Sequence, residues 1–123
     1  MRPTTYGALV VIVLSTCKPA SRVSDATLRS PEARARGKAL FQEHCALCHG
    51  EHADGHGARR EALTGKPADF TSREWRRTAT PDGVYSVIHD GKPGTSMGAW
   101  RSLSDRDVAD LTAYVLSVHE GGP

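Results

Sequence analysis

The last third of the chain carries a clear helical pattern. Four apolar residues recur three or four positions apart: Val108, Leu111, Val115 and Val118. Residues at this spacing share one face of an α-helix, so that face is predicted to be buried. Ser104 precedes the pattern as a capping residue, Asp107 can complete a capping box, and Leu103 can pack against the first turn. Gly121-Gly122 follows the pattern and predicts the end of the helix.

Two further helices are predicted upstream. Ser30-Pro31 predicts the start of the first, because serine caps helices and proline suits the first helical position, and the helix extends to Cys45. Thr80-Pro81 predicts a second helix in the same way, and Gly91 ends it. The predicted buried face of this second helix consists of Val84, Val87 and Ile88. Gly37 inside the first helix indicates a close helix crossing, with a tolerated surface glycine as the alternative.

The rest of the chain shows no regular pattern. No stretch alternates polar and apolar residues well enough to predict a strand. The segment from Gly50 to Thr80 is rich in glycine and is predicted to be a long loop. We therefore expect an all-α domain of three to five helices joined by long loops.

Length and composition restrict the possible classes further. The chain has 123 residues, enough for one domain, and only 6% of them are aromatic, so its core must be small. A formal net charge of +2 does not indicate a nucleic-acid partner. No apolar run approaches the roughly 20 residues of a membrane-spanning helix. Three cysteines cannot all be paired in disulfides, so each needs its own explanation.

The first seventeen residues are typical of an export signal. Met1-Arg2 supplies a positive start, and Gly7–Leu14 is a short apolar run of the kind found in signal peptides. The next residues, up to Cys17, resemble a bacterial lipobox, in which the cysteine becomes the lipid-modified first residue of the mature chain. An ordinary cleaved signal, with no role for Cys17, is the alternative. We predict a signal peptide over 1–16, a lipid-anchored linker over 17–30 and a folded domain over 31–123.

Candidate chemistry is concentrated at Cys45-Ala46-Leu47-Cys48-His49. Cys-x-x-Cys-His is the attachment sequence of c-type haem: the two thiols can form thioethers with one porphyrin, and the histidine can bind its iron. A redox dithiol is one alternative, but it normally follows a strand. A zinc site that adds His52 and His56 is another, although its middle gap is unusually short. One covalently attached haem c is the favoured interpretation.

An iron bound by His49 needs a second axial ligand or an open position. Signal removal would take Met1 away, which leaves Met97 as the only methionine. Met97 lies in a glycine-rich loop, where a methionine has little regular structure to pack from, so a ligand is favoured over a core filler. His89 is the alternative for a bis-histidine site. The predicted haem-binding residues are Cys45, Cys48, His49 and Met97, and the last two are the predicted metal ligands.

These motifs together resemble a class I cytochrome c of the bacterial monohaem branch. Gly37–Phe41, before the attachment motif, is similar to the first helix of that family, and Asp110–Val115 is similar to its last helix. The two helices cross in the family, which accounts for Gly37. Gly94–Trp100 resembles the loop that carries the methionine ligand, with Gly98 where a proline is usual.

The resemblance also implies the surroundings of the haem. A proline of the proximal loop is replaced by Ala58, and the backbone carbonyl there is expected to accept a hydrogen bond from His49 without the rigidity of proline. Trp75 lies among arginines, where a solvated basic face is favoured over a place near the haem propionates. Arg59-Arg60 is expected to face solvent. The side chains expected around the haem are Phe41, Leu63, Phe70, Ile88, Trp100, Leu111 and Tyr114.

Function follows from the expected coordination of the iron. With both axial positions filled by protein, no substrate reaches the metal, so we expect one-electron transfer and no enzymatic activity. The expected protein is an exported, monomeric electron carrier, lipid-anchored on the periplasmic side of a membrane, that serves respiratory or periplasmic oxidoreductases. A fixed subunit of a larger membrane oxidoreductase is one alternative. A gas-binding haem sensor with a labile Met97 is the other.

Overall fold

The protein is described by a computed structural model that covers Met1 and residues 20–120. Within these residues the chain forms six α-helices and no β-strand. The helices are α1 (Asp25–Arg29), α2 (Pro31–His44), α3 (Ala46–His49), α4 (Arg73–Thr78), α5 (Pro81–Asp90) and α6 (Asp105–Ser117), with 3-10 turns at Arg60–Ala62 and Val118–Glu120. The all-α class is confirmed, with one helix more than the expected three to five.

The three helices with sequence caps begin where predicted. Ser30 accepts a hydrogen bond from the Ala33 amide at 3.1 Å, and Thr80 caps α5 in the same way. At α6 the Ser104 hydroxyl accepts from the Asp107 amide at 3.2 Å, and the Asp107 carboxylate accepts from the Ser104 amide at 3.3 Å, which completes the capping box. After Ser117 the chain continues as a 3-10 turn, and Gly121-Gly122 lies outside the described residues.

Helices α2 and α6 cross at Gly37 and make the most extensive helix contact of the described chain. A Cβ atom at Gly37 would lie 2.1 Å from the Asp110 carbonyl oxygen and 2.8 Å from the Tyr114 Cβ. Only glycine lets the two backbones approach this closely. One turn later Phe41 is fully buried, with its ring centroid 5.3 Å from that of Tyr114. The predicted close crossing is confirmed.

An ion pair joins the same two helices. The Arg36 guanidinium donates to both carboxylate oxygens of Asp110, at 2.7 and 3.1 Å, and this bond raises the pKa of Arg36. Asp110 is buried, whereas Arg36 is half exposed, and the Nε of Arg106 lies 4.0 Å from the same carboxylate. A buried carboxylate needs such partners, because without them its desolvation would oppose folding.

The N-terminal segment differs from the sequence prediction. Residues 17–30 were expected to form a linker, but α1 lies within them and Val23 is only 1% exposed in the core. The Ser21 hydroxyl and the Arg22 amide both donate to Asp82 at the start of α5, at 3.0 and 2.9 Å. From Ser21 onwards the structure therefore differs from the expected linker, because Val23 lies in the core and Leu28 packs against it. Cys17 and residues 2–16 lie outside the described residues.

The predicted loop from Gly50 to Thr80 also contains regular structure. Ser72 caps α4, which occupies residues 73–78 of that segment, and the first 3-10 turn occupies residues 60–62. In α5 the buried residues are Tyr85 and Ile88, whereas Val87 is 38% exposed because it faces a cavity. Within residues 20–120 no helix is long and apolar enough to cross a membrane.

Candidate haem site

A cavity of about 980 Å³ opens between the end of α2, α3, α4, α5 and the loop after α5. Its lining is mainly apolar, and the described part of the chain places no Asp or Glu on it. A drug-sized ligand occupies a pocket of roughly 300–1,000 Å³, so this cavity suits a large apolar cofactor. The four predicted haem-binding residues all line it: Cys45, Cys48, His49 and Met97.

The attachment motif begins at Cys45 and continues as α3, and the loop that follows the motif packs against its backbone. A Cβ atom at Gly57 would lie 2.4 Å from the Leu47 oxygen and the Cys48 carbonyl carbon, so this loop presses directly on the motif. The Arg59 amide donates to the Leu47 carbonyl at 3.0 Å, and the Gly55 amide donates to the His49 carbonyl at 2.8 Å. These contacts fix the backbone of α3 and therefore the direction of its side chains.

The thiols lie in apolar surroundings. Burial, with a smaller contribution from the neighbouring Cys48, raises the pKa of Cys45 to about 12. A thiol with this pKa is protonated at neutral pH, whereas catalytic redox dithiols need a lowered pKa. The arrangement therefore opposes the redox dithiol and suits two cysteines that face an apolar macrocycle.

His49 is oriented by two contacts. Its Nδ1 lies 3.4 Å from the Ala68 carbonyl oxygen, and its ring stacks on Phe70 with centroids 4.9 Å apart and planes 19° apart. Burial lowers the pKa of His49, and the hydrogen bond to Ala68 opposes this shift. A neutral imidazole that donates a hydrogen bond from Nδ1 leaves Nε2 as the nitrogen that can bind a metal. Metal-binding histidines commonly make such a hydrogen bond with their second ring nitrogen.

The carbonyl partner of His49 differs from the expected one. The expectation placed it at Ala58, but the structure has Ala68, which follows Pro67. Pro67 restricts the backbone here, so the rigidity missing at Ala58 is supplied nine residues later. Ala53 supports the same loop: it adopts a left-handed conformation (φ +59°) and its carbonyl accepts from the Phe70 amide at 2.9 Å. In the sequence, the proline of Lys66-Pro67-Ala68 is the one feature that indicates a restricted backbone beside His49.

Backbone and side-chain hydrogen bonds hold the loop that carries Met97 in place. The Lys92 amide donates to the Met97 carbonyl at 2.8 Å, and the Trp100 amide donates to the Ile88 carbonyl at 3.0 Å. Across the cavity, the Ser96 amide donates to the Thr64 carbonyl at 2.9 Å and the Thr64 amide donates to the Ser96 hydroxyl at 2.8 Å. This pairing holds Met97 at the cavity wall. Residues 64 and 96 are far apart in sequence, and no local pattern predicts their contact.

The structure does not bring together the residues of the two alternative metal sites, the bis-histidine haem site and the zinc site. His89 does not line the cavity: its Nδ1 lies 2.8 Å from Asp90 and its ring stacks on Tyr85. The zinc alternative needs Cys45, Cys48, His52 and His56 together. Within residues 20–120, however, no three His, Cys, Asp or Glu side chains are placed to hold a metal ion.

Most of the expected packing residues surround the cavity. Phe41, Leu63, Phe70, Ile88, Trp100 and Leu111 line it, whereas Tyr114 packs behind Phe41. Trp75 lines the cavity too, with its ring 4.7 Å from Phe70 in an edge-on arrangement. The indole therefore faces the site, while the neighbouring arginines form the basic outer surface of α4.

Comparison with known proteins identifies the family to which the chain belongs. Residues 32–115 match the family model described as "Cytochrome C oxidase, cbb3-type, subunit III". The chain belongs to this family of c-type cytochromes. The match covers the candidate site from α2 to α6, so the resemblance to class I cytochromes c is confirmed, and haem c binding is a property of the family.

Individual relatives of this cytochrome domain are similar over most of its length. The cbb3-type cytochrome c oxidase subunit CcoP of Rubrivivax gelatinosus is 32% identical over 104 residues, which are 84% of this chain but 31% of that protein. Cytochrome c55X of Stutzerimonas stutzeri is 33% identical over 68% of this chain and 64% of its own length. The chain thus spans about a third of the cbb3 subunit relatives that it matches.

A solved structure shares the fold. A chain of the reducing HAO-like protein complex of Kuenenia stuttgartiensis superposes with a TM-score of 0.66 at 30% identity, and covers 72% of this cytochrome and 44% of its own length. This similarity agrees with the all-α cytochrome fold of the chain.

Proposed function

We propose that this chain is a monohaem electron-transfer domain. Cys45 and Cys48 would hold one haem c through two thioethers, and His49 and Met97 would bind its iron. The supporting observation is that Met97, some fifty residues from the attachment motif, lines the same large apolar cavity as Cys45, Cys48 and His49. Bound haem supplies reversible one-electron chemistry at its iron.

The residues of the chain set the conditions for this chemistry. The Ala68 carbonyl and the Phe70 ring hold the His49 imidazole in one orientation, which limits the rearrangement that accompanies electron transfer. The Thr64–Ser96 pairing holds the Met97 loop against the cavity. The lining of the cavity is mainly apolar, and no carboxylate among the described residues reaches it to act as an acid or base. These features favour an electron carrier over an enzyme.

The physiological role that we favour is that of an electron-transfer subunit of a larger membrane oxidoreductase, with its haem domain on the periplasmic side. Relatives named as cbb3-type oxidase subunits support this role. A separate small carrier is the second candidate, supported by cytochrome c55X, of which the chain covers 64%. Purification from native membranes in mild detergent separates the two: co-purification with oxidoreductase subunits supports the first, and a free domain supports the second.

The ligand proposal is tested with the holoprotein. Met97→Ala removes the proposed axial thioether, so we expect a covalently attached haem, a lowered reduction potential and carbon monoxide binding to the reduced protein. His89→Ala is the matched control and should retain the original spectrum and potential. An unchanged spectrum in Met97→Ala would remove Met97 from the site, and carbon monoxide binding by the unmodified protein would favour the gas sensor.

A further inference from the structure

A second cleft lies on the outer side of α4, with a volume of about 530 Å³. Its lining consists of four basic side chains: Arg73, Arg76, Arg77 and His119. Among the described residues, no carboxylate lies within 4.0 Å of any of the three arginines. Glu120, the acidic neighbour of His119, pairs instead with Arg34 at 3.0 Å. The cleft therefore presents concentrated positive charge that the described chain does not neutralise.

The same short helix connects this cleft to the proposed haem site. Arg76 and Arg77 flank the cleft, while Trp75 turns into the haem cavity. Trp75 contacts Phe70 at 4.7 Å between ring centroids, and Phe70 stacks on His49 at 4.9 Å. A continuous row of aromatic rings thus runs from the basic surface to the proposed proximal ligand.

We propose that the α4 cleft (Arg73, Arg76, Arg77 and His119) is a docking surface for an acidic face of a redox partner protein. In this arrangement one electron would pass along Trp75 and Phe70 between the partner's redox centre and the haem held at His49, so that one of the two is oxidised as the other is reduced. The inference rests on the proposed electron-transfer function and adds to it the place and the charge of the partner contact. A cleft of one charge sign raises the association rate of an oppositely charged partner by roughly 10–1,000-fold.

A protein partner is favoured over an anionic membrane by the shape and position of the site. Three arginines converge on one cleft beside His119, whereas basic segments that bind anionic membranes carry roughly four to eight Lys or Arg residues. The aromatic contacts behind the cleft lead towards the proposed haem site, which is useful to a redox partner and not to a lipid headgroup.

A second positively charged surface lies at the haem cavity, where Lys66 and Lys92 are part of the lining, and it is the alternative docking site for a protein partner.

The first experiment locates anion binding without any electron transfer. Hexacyanochromate(III), a paramagnetic and redox-inert trianion, is added at low ionic strength to the isotope-labelled holoprotein, and broadening of backbone amide resonances is recorded. We expect broadening to centre on residues 73–77 and 119, and to disappear in Arg73→Glu and Arg77→Glu. Lys38→Glu, an exposed charge reversal on α2, is the control and should leave it unchanged. Broadening centred on Lys66 and Lys92, or none, would overturn the proposal.

The second experiment measures electron transfer with a defined anionic partner. The reduced protein passes one electron to hexacyanoferrate(III), which yields oxidised protein and hexacyanoferrate(II), with no bond formed or broken. We expect each α4 reversal to slow this reaction by roughly tenfold at low ionic strength. The difference should vanish at about 1 M salt, because screening is then nearly complete.

The two possible failures are distinguishable. Haem content, spectrum and reduction potential of the α4 variants report on the proposed function, and they should match the unmodified protein because Arg73 and Arg77 are exposed. Unchanged rates in correctly loaded variants would overturn the docking surface alone. Arginine-dependent binding to phosphatidylglycerol vesicles, with no rate effect, would overturn it in favour of a membrane contact.

Discussion

Gly37 occupies the point where α2 and α6 come closest, and its substitution tests that contact. In Gly37→Ala the added Cβ would lie 2.1 Å from the Asp110 carbonyl oxygen, so the helices must separate. Alanine gains about 1 kcal/mol of helix propensity. Separating packed helices costs more, and we expect a net loss of about 1–3 kcal/mol in the free energy of unfolding. Denaturant titration of the holoprotein measures the change.

The neighbouring residue on α2 gives the control for this prediction. Lys38 is exposed, so Lys38→Ala should change the free energy of unfolding by less than about 0.5 kcal/mol. Equal stability of the two variants would show that the crossing tolerates a methyl group.

At the residue scale, the sequence identifies chemistry better than geometry. Cys45, Cys48, His49 and Met97 are visible because their side chains are rare and their spacing has a chemical meaning. The Ala68 carbonyl is invisible, because every residue has one and its role depends on how the loop folds back. The expectation at Ala58 was wrong for this reason, and only Pro67 marked the correct loop.

At the element scale, the segment before α2 depends on Asp82. The Arg22 amide and the Ser21 hydroxyl donate to its carboxylate and lower the pKa of Asp82. Because its folded-state pKa is lowered, the ionised Asp82 carboxylate stabilises the fold at pH values above the ordinary aspartate pKa of about 3.9. This contribution is lost as the pH falls through the folded-state pKa. We expect Asp82→Asn to lower the melting temperature at pH 7, with the difference narrowing below about pH 5.

A partial variant calibrates the Asp82 prediction. Ser21→Ala removes one of the two donors and should lower the melting temperature less than Asp82→Asn at pH 7. If the gap between Asp82→Asn and the unmodified protein were the same at acidic and neutral pH, the carboxylate charge would not be what secures this segment.

Helices of ten or more residues were predictable, whereas single-turn helices were not. The starts of α2, α5 and α6 follow from a capping residue with a proline or an apolar period. Helices α1 and α4 have only five and six residues, too few to show a period, although Ser24 and Ser72 cap them. Such short helices are stable only through tertiary contacts, because a helix nucleus is unfavourable by itself. The docking of Val23 is a contact of this kind.

In the molecule as a whole, the cavity lies beside a small hydrophobic core. The buried residues cluster along α2 and α6, while α4, α5 and the Met97 loop face the cavity. We expect a Cys45→Ala/Cys48→Ala variant, which cannot attach haem, to lose cooperative unfolding and part of its helical circular dichroism. Met97→Ala keeps the thioether residues and is the control. A cooperative, fully helical double variant would mean that the chain folds without its cofactor.

The last prediction concerns how the domain is held in the cell. The proposed lipid anchor at Cys17 remains a sequence prediction, and docking of Ser21 onto Asp82 shortens the chain between anchor and domain. Four residue steps span at most about 14 Å when fully extended, so the haem domain would stay close to the bilayer. Mass spectrometry of the membrane-extracted N-terminus should find acylated Cys17, and Cys17→Ser should release a soluble, haem-loaded domain. An unmodified N-terminus at another residue would remove the anchor while leaving the haem site intact.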